Sequence, residues 1–206
     1  MDNYRLRHPM FDELSRDIFN FARETQIFSN VFTERLIEES IIKRYSFIVE
    51  GTMRSPIVPM KTAELLRHNS YETAAFVIAA PKEFSLLNAF LRYLKEVKKK
   101  GVGRMIEIGS HNAAVVGLPI SLDNMYLGKS VDRICIFDCF ARNLVTDYNL
   151  VEGKWDSSEL PSKVIQDCRE KQLQDGQMID ALLSEGKEAY RELKESGFKE
   201  KISLCF

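Results

Sequence analysis

Tyr45-Ser46-Phe47-Ile48-Val49-Glu50-Gly51-Thr52-Met53-Arg54 is the stretch on which the reading of this chain turns. Its run of aromatic and β-branched residues predicts a buried strand over 45–50, ended by a carboxylate, a glycine, a hydroxyl and a guanidinium. In open α/β sheets ligands sit in the crevice beyond the carboxyl ends of the strands. Glu50, Thr52 and Arg54 are therefore candidate binding groups. The plainer alternative is a turn opened by Gly51, with Glu50 and Arg54 as solvated loop charges.

Helical patterns flank the stretch on both sides. Upstream, Phe11, Leu14, Ile18 and Phe21 fall at helical spacing, with Pro9 near the start, and a second pattern runs through Val31, Phe32, Leu36, Ile37 and Ile41. Downstream, Pro56 and Pro59 precede a short helix over 62–68 and a second strand over 73–79. From Phe84 the spacing of Leu87, Phe90, Leu94 and Val97 predicts a long amphipathic helix ending in Lys98-Lys99-Lys100-Gly101. Lysines in a last turn complement the helix dipole, so this run reads as a solvated helix end and not as a nucleic-acid patch. Another helix holds Met105, Ile108, His111, Val115 and Val116 and is expected to stop at Leu118-Pro119. A third strand, 132–137, is the last clear one. After Trp155 the pattern is of charged helices to about Lys194, with enough apolar positions to dock on a neighbour. The expected fold class is α/β: a parallel sheet flanked by helices over 1–155, with a helical C-terminal extension over 156–206.

Composition narrows the function. The 29 basic and 30 acidic residues leave a formal charge of -1, so no global field attracts nucleic acid or an anionic membrane. No apolar run approaches the roughly 18 residues of a membrane span, and the charged start lacks the apolar core of a signal peptide. The expected location is cytoplasmic. Cys135, Cys139, Cys168 and Cys205 show no paired CxxC spacing, which argues against a disulfide framework or a zinc site.

Several motifs agree in order and spacing. They are Asp2-x-Tyr4-Arg5-x-x-His8-Pro9-x-Phe11-Asp12-Glu13-Leu14, Phe28-Ser29-Asn30 with Thr33-Glu34, and Val49-Glu50-Gly51-Thr52-x-Arg54. Tyr71-Glu72-Thr73, Ala80-Pro81-Lys82, Arg92-Tyr93, Arg104 and His111 follow. Over roughly residues 2–140 the chain resembles the zeta toxin family, P-loop kinases of bacterial toxin–antitoxin pairs. The resemblance implies phosphoryl transfer from ATP or GTP, with Mg2+, to a hydroxyl of UDP-N-acetylglucosamine, which poisons cell-wall synthesis. It implies a small helical antitoxin as a possible partner. By the same resemblance Asp2 takes the proton of the attacking hydroxyl, and Glu34, Glu50, Thr52 and Arg54 hold the sugar nucleotide. Arg92 and Arg104 close on the transferring phosphate.

These residue types suit those roles. A loose phosphoryl-transfer transition state needs an in-line hydroxyl and cations against charge spreading over the equatorial oxygens. Guanidinium groups are permanently charged and can grip phosphate oxygens two at a time. Taken singly, each residue also reads as a surface charge or helix-end group.

The sequence departs from the family pattern in one respect. It contains no Gly-x-x-x-x-Gly-Lys-Ser/Thr, the loop whose backbone N–H groups, lysine and hydroxyl hold nucleotide phosphates and magnesium. The chain therefore reads as a zeta-type domain that begins after its nucleotide-binding segment, inactive as it stands. The alternative is a non-catalytic remnant or a binding module for UDP-sugar or antitoxin. Without the strand that precedes that loop, strands 45–50 and 73–79 are expected to be left with unpaired ladder groups, so that either the remaining strands close the gap or the fragment is unstable or waits for a partner.

Overall fold

The computed structural model describes residues 2–17, 20–101 and 103–195, and of residues 2 and 3 only the backbone. Ile18 and Cys205 lie outside the described residues. In chain order the elements are the helices α1 (Asp2–Arg5), α2 (Phe11–Leu14), α3 (Phe21–Glu24), α4 (Gln26–Ile42) and α5 (Ile57–His68), then strand β1 (Ala74–Ile78). Helices α6 (Lys82–Lys100) and α7 (Ile108–Leu127), strands β2 (Arg133–Phe137), β3 (Leu144–Val151) and β4 (Lys154–Trp155), and helices α8 (Pro161–Leu173) and α9 (Gly176–Glu195) follow. They group into two compact units, one of residues 1–50, 83–108 and 179–206, the other of 51–82 and 109–178. No helix among the described residues is long and apolar enough to cross a membrane.

In the first unit, α1 is too short to persist alone and is pinned to α4 by its own side chains. Buried Arg5 donates to Thr25 Oγ1 at 2.7 Å, to Gln26 Oε1 at 2.6 Å and to the Ala22 carbonyl. Tyr4 stacks on Phe32 at 5.7 Å, and Phe28 sits between His8 and Phe32. Helix α4 ends without a glycine. Arg44 takes a φ of 57° and the Tyr45 N–H donates back to the Ser40 carbonyl at 3.0 Å, a Schellman closure. Further on, α9 lies against α6 through Asn88 to Glu185 (2.8 Å), Lys95 to Glu188 (3.0 Å) and Lys98 to Glu192 (2.9 Å). Leu91, Tyr93, Leu94 and Ala189 are buried in this unit.

The segment expected to be its strand forms none. Residues 45–54 carry no strand or helix, and Ile48 is 96% exposed. An apolar β-branched run registers fitness for a pleated, half-buried surface. Where no neighbouring strand supplies a ladder, the same residues form no strand, and over 45–50 all but the half-buried Phe47 are exposed.

The second unit holds the sheet, in the order β1-β2-β3-β4. β1 and β2 pair in parallel with Ala75 opposite Ile134 and Val77 opposite Ile136, and the Ala79 N–H to Phe137 carbonyl bond extends the ladder. The α/β class and two of the three expected strands thus stand, with β1 at the sheet edge. β3 and β4 were not expected, and they extend the sheet antiparallel, with a register shift between Ile136 and Phe137. One sheet face, carrying Ala75, Val77, Ile134, Ile136 and Tyr148, packs with Ala63 of α5, Leu122 and Met125 of α7, and Val164, Ile165 and Cys168 of α8. Of residues 156–206, α8 therefore belongs to the core of the second unit, whereas α9 from Ile179 belongs to the first.

Pro119 does not stop its helix; α7 runs through it to Leu127. A proline inside a helix removes the N–H that would bond the carbonyl four residues back, here Val115. Arg169 of α8 supplies the missing donor, at 3.2 Å to the Val115 carbonyl, while its Nε bonds the Ala80 carbonyl at 3.0 Å. Burial pushes this guanidinium below its ordinary pKa.

Candidate functional site

Asp2, Glu34, Glu50, Arg92 and Arg104 fall in the first unit; Thr52 and Arg54 fall in the second. Asp2 is in α1, its side chain outside those described, and Glu34 is exposed on α4, two residues beyond the Phe32 that stacks on Tyr4. The pinning of α1 thus puts the helices of Asp2 and Glu34 side by side. Glu50 is exposed in the segment that follows α4.

A chain reversal brings the backbone of Arg104 back to α6, the helix of Arg92. Helix α6 ends in the lysine run, and Gly101 follows with a φ of 74°, left-handed backbone that glycine adopts without strain. Two residues on, a Cβ on Gly103 would lie 2.8 Å from the Tyr93 carbonyl, so only glycine lets the chain return this close to α6. The next residue, Arg104, donates its N–H to Glu96 Oε2 at 3.2 Å. Glu96 is one turn from Arg92 on the same helix. Arg92 is exposed and Arg104 half-buried.

In the second unit, Gly51, Thr52 and Arg54 are exposed, but their segment is anchored from below. Ser121 of α7 donates to the Met53 carbonyl at 2.6 Å, and a Cβ on Gly117 would lie 2.0 Å from the Arg54 carbonyl oxygen. Met53 itself takes a φ of 49°. The backbone of Thr52–Arg54 therefore rests directly on α7, which fixes where those side chains start.

Beyond the carboxyl ends of β1 and β2 is a second polar group. Gln172 of α8 donates to the Ala79 carbonyl and accepts from the Cys139 N–H, both at 2.8 Å. Asp138 accepts from the N–H groups of Phe140 (3.1 Å) and Arg142 (2.9 Å) and from the Asn143 amide (2.6 Å). Burial alone would raise this carboxyl; the three donors outweigh it and hold its pKa below the usual carboxylate value. Its oxygens are occupied by its own loop, which makes Asp138 a loop organiser.

Glu96, Gly103, Gly117, Ser121 and Gln172 were not candidates. Glycines inside a helical pattern, as at Gly117, and the Gly101-x-Gly103 pair were the available signals. Nothing local marks Glu96, Ser121 or Gln172, whose partners lie far away along the chain or across a turn. The sequence has no glycine-rich phosphate loop, and no group of three His, Cys, Asp or Glu among the described residues could hold a metal ion.

Comparison with known proteins bears on this arrangement. Residues 1–150 match the family model described as zeta toxin. Toxin zeta of Enterococcus hirae is 32% identical over 130 residues, covering 61% of this chain and 44% of that protein. Toxin PezT of Streptococcus pneumoniae is 32% identical over 96 residues, 45% of this chain and 37% of that protein. The chain thus matches less than half the length of these relatives. A solved structure from the PezAT chromosomal toxin–antitoxin system of Streptococcus pneumoniae superposes with a TM-score of 0.72 at 25% identity, covering 94% of this chain and 74% of that one.

Proposed function

Because this chain belongs to the zeta toxin family, whose model matches 1–150 of its 206 residues, we propose that it is the acceptor-substrate part of a sugar-nucleotide kinase. In this reading Glu34, Glu50, Thr52 and Arg54 hold UDP-N-acetylglucosamine through its hydroxyls and diphosphate. Asp2 orients the attacking hydroxyl and takes its proton, and Arg92 and Arg104 face the phosphate transferred from ATP or GTP. Nucleotide sugars are made in the cytoplasm, so that is where such a domain would act. The observation that carries the reading is the reversal at Gly101–Gly103, which returns Arg104 to the helix of Arg92. Guanidinium groups on one helix and on the segment that returns to it would suit the charge that spreads over equatorial phosphate oxygens in a loose transition state.

A second reading follows from the missing phosphate loop: a non-catalytic module that binds UDP-sugar or a small helical antitoxin. The relatives named as toxins and the solved toxin–antitoxin system favour the antitoxin as the kind of partner. For the 206 residues alone we expect no ATP-dependent phosphorylation of UDP-N-acetylglucosamine above background. Turnover that Asp2→Ala abolishes would overturn that expectation. Calorimetry should detect UDP-N-acetylglucosamine binding, weakened about tenfold or more by Arg54→Ala, since a hydrogen bond to a charged group contributes about 1.5–3 kcal/mol. No heat from a folded sample would end the acceptor-site reading.

A further inference from the structure

We propose that the open hollow along α6 binds a chain of linked phosphates, gripped by Lys95, Lys99 and Lys100 together with Arg92. Asn88, Arg92, Lys95 and Lys99 recur at i, i+4, i+7 and i+11, one stripe of the helix. With Glu96 and Lys100 they border a hollow of about 390 Å³. Seven residues separate Arg92 from Lys99, about 10 Å along the axis, a span that their long side chains close over a small anion.

Arg92, Lys99 and Lys100 make no ion pair among the described residues, whereas Lys98, on the neighbouring face, is taken by Glu192 and Glu195. Lys95 is shared: Glu188 of α9 sets a carboxylate oxygen 3.0 Å from its ammonium. Glu96, the acidic group of the lining, is turned to the Arg104 N–H. The hollow is thus bordered by four cations, three on the stripe and Lys100 beside it, of which Lys95 is shared with Glu188, while Glu96 is turned to the Arg104 N–H. A single phosphate meets one or two of these cations, but a di- or triphosphate carries charge on successive groups and meets several turns at once. The proposal rests on the phosphoryl-transfer reading only in its use of Arg92.

The test is calorimetric titration of the 206-residue chain with orthophosphate, pyrophosphate and tripolyphosphate at low and high salt. Tripolyphosphate should bind most tightly, with affinity falling as salt rises. Lys99→Gln with Lys100→Gln should weaken it about tenfold, about 1.4 kcal/mol shared between two solvent-exposed cations. Lys61→Gln with Lys154→Gln, the same charge change elsewhere, should leave it unaltered. All four lysines are exposed, and matching melting curves would establish that the variants fold. Equal affinity for the three anions, or an equal loss in the control pair, would overturn the proposal. UDP-N-acetylglucosamine titrated into the same samples separates the two ideas: its failure with tripolyphosphate binding intact defeats the acceptor reading alone, and the reverse defeats this one alone.

Discussion

Gly117 leaves no room for a side chain, because the Arg54 carbonyl oxygen occupies the place of its Cβ, 2.0 Å away. The obstacle is backbone, which yields less readily than a flexible side chain. Gly117→Ala should therefore cost on the order of 2 kcal/mol, as overpacking does, seen as a lower urea midpoint at unchanged slope. An unchanged midpoint would show that the approach is not so close. From the sequence Thr52 and Arg54 could be singled out by type and neighbourhood. The glycine and serine that seat them could not, because the contact joins residues more than 60 positions apart in the chain.

At the scale of elements, Pro119 and Arg169 form a coupled pair. Arg169→Ala leaves the Val115 and Ala80 carbonyls short of a donor and should cost about 1–3 kcal/mol. In a Pro119→Ala background the restored N–H serves Val115, so the same change should cost less by about 1 kcal/mol. A four-cornered cycle of urea denaturations measures the difference, and strict additivity would refute the pairing. The proline signal read alone predicted a helix end; the compensating cation sits on a helix 50 residues later. Residues 45–50 differ in kind. Their composition is that of a strand, yet a ladder requires a partner. In native-state hydrogen exchange the amides of 46–50 should exchange orders of magnitude faster than those of β2. Protection equal to β2 would restore the strand.

The molecule as a whole divides inside its opening stretch, between Glu50 and Gly51. The second unit has a contiguous core of sheet and helices, whereas among the described residues of the first fewer large side chains are buried, and α6 meets α9 through ion pairs whose lysines are exposed, each of small worth and screened by salt. Thermal unfolding should accordingly depart from a single two-state step. Leu91→Ala should lower the earlier transition, and Ile134→Ala the later one, each truncation costing about 2–5 kcal/mol. One cooperative transition, with the van't Hoff and calorimetric enthalpies equal, would show that the units unfold together.

By itself the sequence determined the α/β class, strands β1 and β2, the long α6, the helical character of α4 and of the stretch after Trp155, the family, and which residue types could meet a phosphorylated sugar. These depend on short-range periodicity and on motifs whose order along the chain carries the information. Only the tertiary structure decided that 45–50 forms no strand, that β3 and β4 turn the sheet antiparallel, that α7 survives its proline, and that the Arg104 backbone returns to Glu96 of α6. Each of those outcomes depends on which distant group, if any, arrives to satisfy a backbone donor or acceptor, and local pattern does not encode that arrival.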